Sequence, residues 1–316
     1  MPPPDVTLQD IRAAQARIAG YVVRTPVLES PLLNAACGAR LHFKCENLQE
    51  TGAFKARGAS NAIFARSLTQ LRAGVVTHSS GNHGAAVARA ARLRGVPARV
   101  VMPHNSSAAK IAAVRVYGGE ITLCEPTVAA RETAAAQIVA DTGALFIHPY
   151  DDPEVIAGQG TIALEFLEQV PQLEWLLCPI GGGGLASGIA VAVKSLRPSI
   201  RVVAVEPASA DDAYRSFQSG VLAPPVPTTT VADGLRGALS ARTFGLIRQH
   251  VNAVVTVDEQ AIVHAMRELW RNLRIIVEAS SAVAYAAIVE RRLDVGDAHI
   301  GIVLTGGNVD IDALPW

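Results

Sequence analysis

Four short segments of this 316-residue chain combine glycine with residues able to do chemistry. They are 49–58 (QETGAFKARG), 77–84 (THSSGNHG), 179–185 (PIGGGGL) and 304–310 (LTGGNVD). Lysine is scarce, with only Lys44, Lys55, Lys110 and Lys194, so a lysine in an unusual setting stands out. Lys55 follows Phe54 in a glycine-flanked turn that opens a helix. An amine partly desolvated by an aromatic neighbour has a lowered pKa and serves as nucleophile or base. By position alone, Lys55 also reads as a solvated helix-start residue. Gly181, Gly182, Gly183 and Gly184 separate an apolar strand pattern from the helical run 185–196. Backbone N–H groups in such a loop can wrap a phosphate, aided by the helix dipole. No lysine follows as a nucleoside-triphosphate loop requires. A dinucleotide fingerprint belongs near the start of a βαβ unit with an acid about 20 residues on. Glu206 does lie at that spacing, but a single phosphate monoester fits the loop better. Glu206 and Asp212, six residues apart after a strand, can join a backbone carbonyl in an oxygen-rich site for Mg²⁺ or Ca²⁺. Taken alone, the pair also reads as surface acids.

The elements that must position these groups follow from periodicity. Apolar residues at helical spacing predict a helix from Thr7 through Ile18. Short β-branched runs predict strands over 74–77, 98–102, 120–124 and 144–147, with alanine-rich helices over 84–93, 108–117 and 128–142. The second half repeats the style, with strands over 175–178, 202–205, 253–257 and 300–304 and a long helix over 259–275. Residues 220–230, crowded with proline, glycine and threonine, read as a surface loop. Strands alternating with helices imply parallel sheets. The fold class is α/β, with two doubly wound lobes and a ligand where the strand C-termini face a cleft.

Composition narrows the partners. The 28 basic and 28 acidic residues cancel, which excludes a nucleic-acid binder that works by neutralising phosphates. Cys37, Cys45, Cys124 and Cys178 have no zinc-like or disulfide spacing and read as small core residues. The N-terminus shows no secretory signal and the apolar runs are too short to span a bilayer, so we expect a soluble, cytoplasmic protein without membrane partners.

Taken together, residues 51–59, 79–84, 181–184 and 305–308 resemble the fold-type II pyridoxal-phosphate enzymes, the tryptophan synthase β-like fold. Within that group the chain is similar to threonine/serine dehydratases and serine racemases, from about Leu8 to Asp310. The stretch 156–165 adds to the likeness. The resemblance implies a large cofactor-binding domain over 1–65 and 152–316, and a small substrate-side domain over 66–151. It implies that Lys55 holds pyridoxal 5'-phosphate as a Schiff base and later acts as the Cα base. Phe54 would pack near the ring, and Asn82 would bond its 3-hydroxyl. Gly181 to Gly184 and the Leu185 N–H would cradle the phosphate, with Thr305 at the pyridine nitrogen. Ser79, Ser80, Asn82 and His83 would receive the substrate carboxylate, and Arg131 matches a position near it. Ser80 also matches the opposite-face acid/base of the racemases. Glu206, the Ala210 carbonyl and Asp212 match the ligands of a structural divalent cation, Mg²⁺ or Ca²⁺. A homodimer is expected on the same ground.

The implied function is an ammonia-lyase (dehydratase) acting on a small β-hydroxy amino acid, L-threonine or L-serine first and 3-hydroxyaspartate next. A serine racemase with dehydratase side activity is the alternative. Several residues depart from the family pattern. Ala53 stands where serine is usual, and Gly237 and Ala238 stand where racemases carry serines near the substrate side chain. These changes count against dedicated serine racemisation and leave room for a bulkier or charged β-substituent. Arg236, beside that spot, reads either as a partner for a second carboxylate or as an exposed loop residue. Glu50 and Ala85 replace nucleotide-binding residues of the racemases, which counts against nucleotide activation.

Overall fold

The computed structural model describes residues 6–79 and 81–316. In chain order the first half comprises α1 (Leu8–Ile18), β1 (Val27–Leu28), α2 (Pro31–Cys37), β2 (Arg40–Cys45), α3 (Lys55–Phe64), β3 (Val75–His78), α4 (Asn82–Arg94), β4 (Ala98–Pro103), α5 (Ala108–Val116), β5 (Glu120–Cys124), α6 (Val128–Thr142) and β6 (Leu145–Phe146). The second comprises α7 (Pro153–Gln169), β7 (Trp175–Pro179), α8 (Gly184–Leu196), β8 (Arg201–Pro207), α9 (Asp212–Ser219), α10 (Ala241–His250), β9 (Ala253–Val257), α11 (Glu259–Leu273), α12 (Ala279–Val289) and β10 (His299–Leu304). The strands form two sheets, ordered β1-β2-β10-β7-β8-β9 and β5-β4-β3-β6. All pairings are parallel except β1 with β2. The expected α/β class with parallel-sheet lobes is what the chain adopts. No helix among the described residues is long and apolar enough to cross a membrane.

Local sequence explains most boundaries. Thr7 caps α1 in a reciprocal box with Asp10, and Asp152 caps α7 just ahead of Pro153 at its first position. The helix α11 stops at Leu273, two residues short of expectation, because Arg274 turns left-handed at φ 59°. Central strands such as β7 and β10 are buried along nearly their whole length, as apolar strands covered on both faces should be. The helix α8 is buried over its first ten residues, consistent with its almost wholly apolar sequence. All four cysteines are free; Cys45 and Cys178 are buried as expected, whereas Cys37 and Cys124 are only half-buried.

Glycine allows α3, α7 and α8 to approach closely. A Cβ at Gly158 would lie 2.6 Å from Gly58 Cα, and one at Gly160 would lie 2.8 Å from the Gly188 carbonyl. The stretch 156–165 therefore belongs to a helix crossing that tolerates no side chain at its contact points.

Beneath that crossing lies a set of buried charges. Arg57, fully buried, donates to Glu46 from Nε at 2.7 Å and to Glu165 from Nη1 at 2.7 Å. Its Nη2 adds bonds of 2.8 Å to each of the same two carboxylates. Lys44, also fully buried, donates to Glu165 at 2.7 Å, Gln169 at 2.8 Å and the Thr25 carbonyl at 2.8 Å. Burial pushes the Glu165 carboxyl up, but its bonds to Arg57 and the Arg57 and Lys44 charges outweigh this and hold it below the usual carboxylate range. Removing one partner of such a set strands the others in a dry interior. Arg57→Met should therefore cost about 3–5 kcal/mol, measured as a lower urea midpoint. A midpoint equal to wild type would show that these charges contribute no stability.

Candidate active site

The C-terminal ends of β3, β6, β7 and β10 meet at one cavity of about 260 Å³. This is the crevice in which open α/β sheets bind ligands. Each of the four glycine-bearing segments contributes to its wall.

Lys55 is the first residue of α3, and the turn before it is stitched to the end of β10. Ala53 bridges Gly306, Phe54 N–H donates to the Thr305 carbonyl at 2.9 Å, and Gly307 N–H donates to Gly52 at 2.9 Å. Thr51 at φ 60° and Gly52 at φ 69° make the tight bend that this register needs. The Lys55 amine lies 5.1 Å from the Phe54 ring centre and donates to the Pro149 carbonyl at 2.7 Å. Among the described residues that carbonyl is its one hydrogen-bond partner. Burial lowers the Lys55 pKa to about 8. At that pKa about a tenth of the amine is neutral at pH 7, far more than for an ordinary lysine.

The tetraglycine loop turns from β7 into α8. Gly183, at φ +86°, precedes the helix and no side chain caps it. The first N–H groups of α8 are thus left without intrahelical partners beside the cavity. A Cβ at Gly181 would lie 2.9 Å from Leu235 Cα, one at Gly184 would lie 2.9 Å from Tyr150 Cβ, and one at Gly182 would run into the Tyr150 ring. The loop is glycine because Tyr150, Leu235 and, at Gly183, Leu239 and Thr243 occupy the space of its side chains. Leu185 and Thr305 complete this wall.

The helix α4 also starts without a side-chain cap, at Gly81. Asn82, its first residue, donates to Glu278 at 2.7 Å and accepts from Asn308 at 3.0 Å. Asn308 in turn reaches the Thr51 carbonyl at 2.7 Å. Burial, reinforced by Asp233, raises the Glu278 pKa to about 7, with Lys110 and Asn82 pulling the other way. Lys110 of α5 pairs with Asp233 across the cavity mouth.

The other expected residues fall as follows. Ser79 accepts from Gly81 N–H at 3.1 Å and lines the cavity. Arg131 forms part of the wall, its Nε turned to the Thr127 carbonyl at 3.4 Å. His83 is only 2% exposed and points at the Ile147 carbonyl, at 3.4 Å. Burial, with the Lys55 charge nearby, drives its pKa well below the ordinary value. His83 also lines the cavity, and its Nδ1 is buried without a partner. Ser80 lies outside the described residues. Glu206, Ala210 and Asp212 are gathered at the end of β8, apart from the cavity wall.

A family model described as pyridoxal-phosphate dependent enzyme matches residues 18–306. The chain belongs to this family. It is 48% identical over 310 residues to a β-hydroxyaspartate dehydratase of Paracoccus denitrificans, covering 98% of both chains. The structure of maize serine racemase superposes with a TM-score of 0.95 at 46% identity, covering 98% of this chain and 95% of that one. A threonine deaminase structure matches with a TM-score of 0.89 at 43% identity, covering 96% and 99%.

The residues present fit the cofactor. Four glycines before an uncapped helix suit a phosphate, and a buried amine with a lowered pKa suits an aldehyde. The wall also includes residues without a site role in the sequence reading, among them Pro149, Tyr150, Lys110, Asp233 and Glu278 as a partner of Asn82. The strand end at β6 was the only signal for the first two. Because the Tyr150 ring fills the place of a Gly182 side chain, Gly182→Ala should cost about 1–3 kcal/mol and lower the cofactor absorbance of the purified protein. Wild-type absorbance and melting temperature together would contradict this crowding.

Proposed function

We propose that the chain is a pyridoxal-phosphate-dependent ammonia-lyase that dehydrates a small β-hydroxy amino acid to a 2-oxo acid and ammonium. The observation that carries the reading is the Lys55 amine, tuned to about pKa 8 without a carboxylate partner, in one cavity with the glycine loop. Bound pyridoxal phosphate supplies an aldehyde for the substrate amine and a ring that accepts the electron pair left at Cα. Gly181, Gly182, Gly183, Gly184 and Leu185 hold its phosphate, Phe54 packs against it and Asn82 meets its hydroxyl. Lys55 Nζ anchors it at rest and then takes the Cα proton, for which a pKa near the working pH is apt. Ser79, Asn82 and His83 receive the substrate carboxylate at the start of α4, with Ser80 assigned from its place in the sequence and Arg131 nearby. Thr305, a neutral hydroxyl, is assigned to the ring nitrogen. It does not hold a proton there as a carboxylate would, which favours prompt loss of a β-hydroxyl over amino transfer.

Among β-hydroxy amino acids we place 3-hydroxyaspartate first, ahead of serine and threonine. Arg131 and Arg236 put two guanidinium groups in the wall, where Lys110 is already paired with Asp233, and Gly237 and Ala238 leave space beside Tyr150. The 48%-identical Paracoccus relative carries that substrate in its name. Serine racemisation is the second reading, favoured by the likeness to maize serine racemase and by Ser80 in the sequence. A release assay for 2-oxo acids across both enantiomers of serine and threonine and the stereoisomers of 3-hydroxyaspartate, with chiral analysis of remaining substrate, separates the readings. We expect 3-hydroxyaspartate to turn over fastest and Lys55→Ala to lose both activity and the visible cofactor band. D-serine appearing from L-serine faster than any 2-oxo acid would promote the racemase, and an active Lys55→Ala would sink the scheme.

We further propose a divalent cation, Mg²⁺ or Ca²⁺, held by Glu206, Asp212 and the Ala210 carbonyl, and a cytoplasmic homodimer. Among the described residues no three His, Cys, Asp or Glu side chains form a metal cluster, so a cation here needs backbone oxygen and water. Two features support it. Asp212 Oδ2 is buried without a partner. Burial raises Glu206 to about 9 and Asp212 to about 6, with the nearby acids adding to both. Because these folded-state pKa values exceed the unfolded ones, the cation-free protein loses stability as pH rises from about 4 toward 9. A cation replaces the protons and removes that loss. EDTA should lower the melting temperature more at pH 8 than at pH 6, and Asp212→Asn should abolish the difference. No EDTA effect at either pH would count against the site.

A further inference from the structure

The turn after β6 is braced at every residue. Ile147 N–H donates to the Val76 carbonyl at 2.9 Å. The Ile147 carbonyl accepts from Thr77 Oγ1 at 2.8 Å and from His83 Nε2 at 3.4 Å. His148 Nδ1 then accepts two backbone N–H groups, from Asp151 at 2.8 Å and from Tyr150 at 3.3 Å. Its ring sits edge-on against Tyr150, with centroids 4.6 Å apart, and against Phe146 and His78 at 5.8 and 5.9 Å. Arg242 holds Asp151 from the far side, by the side chain and by the carbonyl at 3.1 Å. Pro149, at the centre of this turn, has no N–H to place, and its peptide bond is trans. Its carbonyl is the group that meets Lys55 Nζ at 2.7 Å.

Two donors converging on Nδ1 require it to be unprotonated, so the proton of the neutral imidazole is on Nε2. The titratable groups around the ring are His78, His83, Tyr150, Asp151, Lys55 and Arg242. Burial, then His78, lowers the His148 pKa to about 4, so the accepting form persists across the working range. A neutral amine has two N–H bonds and one lone pair. Donating one N–H to a fixed carbonyl restricts where the lone pair can point, and does so without the full charge a carboxylate would bring.

We propose that His148 is a positioning residue for Lys55: its Nδ1 fixes the turn that aims the Pro149 carbonyl at the amine. Whenever the amine is free, this carbonyl holds it in the orientation needed for the Cα proton. The inference rests on the ammonia-lyase reading for its use in turnover, and on the turn geometry for its existence.

The test compares His148→Leu, which fills space but accepts nothing, with His148→Asn, whose side-chain oxygen caps the same kind of turn. Both are assayed as holoenzyme on the best substrate of the 2-oxo-acid screen. In His148→Leu, kcat should fall on the order of 10–100-fold, with KM nearly unchanged. The acid limb of its kcat profile should move to lower pH, because a carbonyl acceptor favours the ammonium form of Lys55 and its loss disfavours it. His148→Asn should recover most of kcat and the wild-type limb. Borohydride reduction followed by intact mass should trap as much cofactor on Lys55 in both variants as in wild type. Three outcomes would overturn the proposal: a wild-type kcat and acid limb in His148→Leu, equal impairment of the two variants, or lowered cofactor trapping in His148→Leu. A wild-type enzyme that traps cofactor but dehydrates none of the amino acids would instead overturn the functional reading.

Discussion

The buried meeting of Arg57 and Lys44 with Glu46 and Glu165 is the constraint on which the rest of the molecule depends. It joins β2, the turn after it, the first coil of α3 and the middle of α7. Arg57 is two residues beyond Lys55, on the same helical turn, so whatever fixes Arg57 fixes the base of the catalytic candidate. Charges this deep are costly, and an apolar substitute for the whole set could be as stable. What ionic and bidentate geometry adds is direction. A guanidinium bonded to two carboxylates through three nitrogens has one orientation, while a packed methionine has many. The glycine contacts among α3, α7 and α8 act with it, since helices whose backbones touch cannot slide to relax a mispaired charge.

That rigid base supports a cavity assembled largely from backbone. The glycine loop offers N–H groups, the start of α4 offers more, and Lys55 rests on a carbonyl. Side chains enter mostly to hold that backbone in place. Tyr150 and Leu235 fill the loop's missing side chains, His83 and Thr77 hold Ile147, and Asn308 ties Asn82 to the lysine turn. Backbone dipoles stabilise a phosphate or carboxylate without titrating, so the pH response of the site is left to a few groups. Lys55 at about 8 and Glu278 at about 7 are the two nearest neutrality.

This division explains what could be read from the sequence. Strands β3 to β10 announce themselves as short apolar or β-branched runs, and the glycine segments that follow β3, β7 and β10 all reach the cavity. The strand β2 did not, because Arg40, His42 and Lys44 interrupt its apolar pattern. Its signal is hidden by the buried chemistry that matters most: Lys44 is fully buried and His42 only 2% exposed. Pro149 and His148 were illegible for a different reason. A carbonyl acceptor carries no residue signature, and a histidine that braces a turn looks like any other until its two N–H donors are located. The placement of His83 against Ile147 likewise depends on β6 lying beside β3, a pairing no local pattern states.

The apolar core around β3 and β4 also takes in Ala59, Ala62 and Ile63 of α3 and Val155 of α7, so the helix that carries Lys55 is packed between the two sheets. Around the cavity itself, polar contacts tie the two sheets' ends together: Lys110 with Asp233, Asn82 with Glu278, Arg242 with Asp151, and Lys55 with the Pro149 carbonyl. Polar contacts at a wet cleft exchange readily for water, so parting them costs far less than parting apolar cores. Each of these pairs also sets one catalytic candidate or its support. Anything that parted these pairs would loosen the same groups that must be exact for proton transfer. In this fold, the apolar packing of α3 fixes where the amine starts, and the polar contacts around the cavity fix where it points.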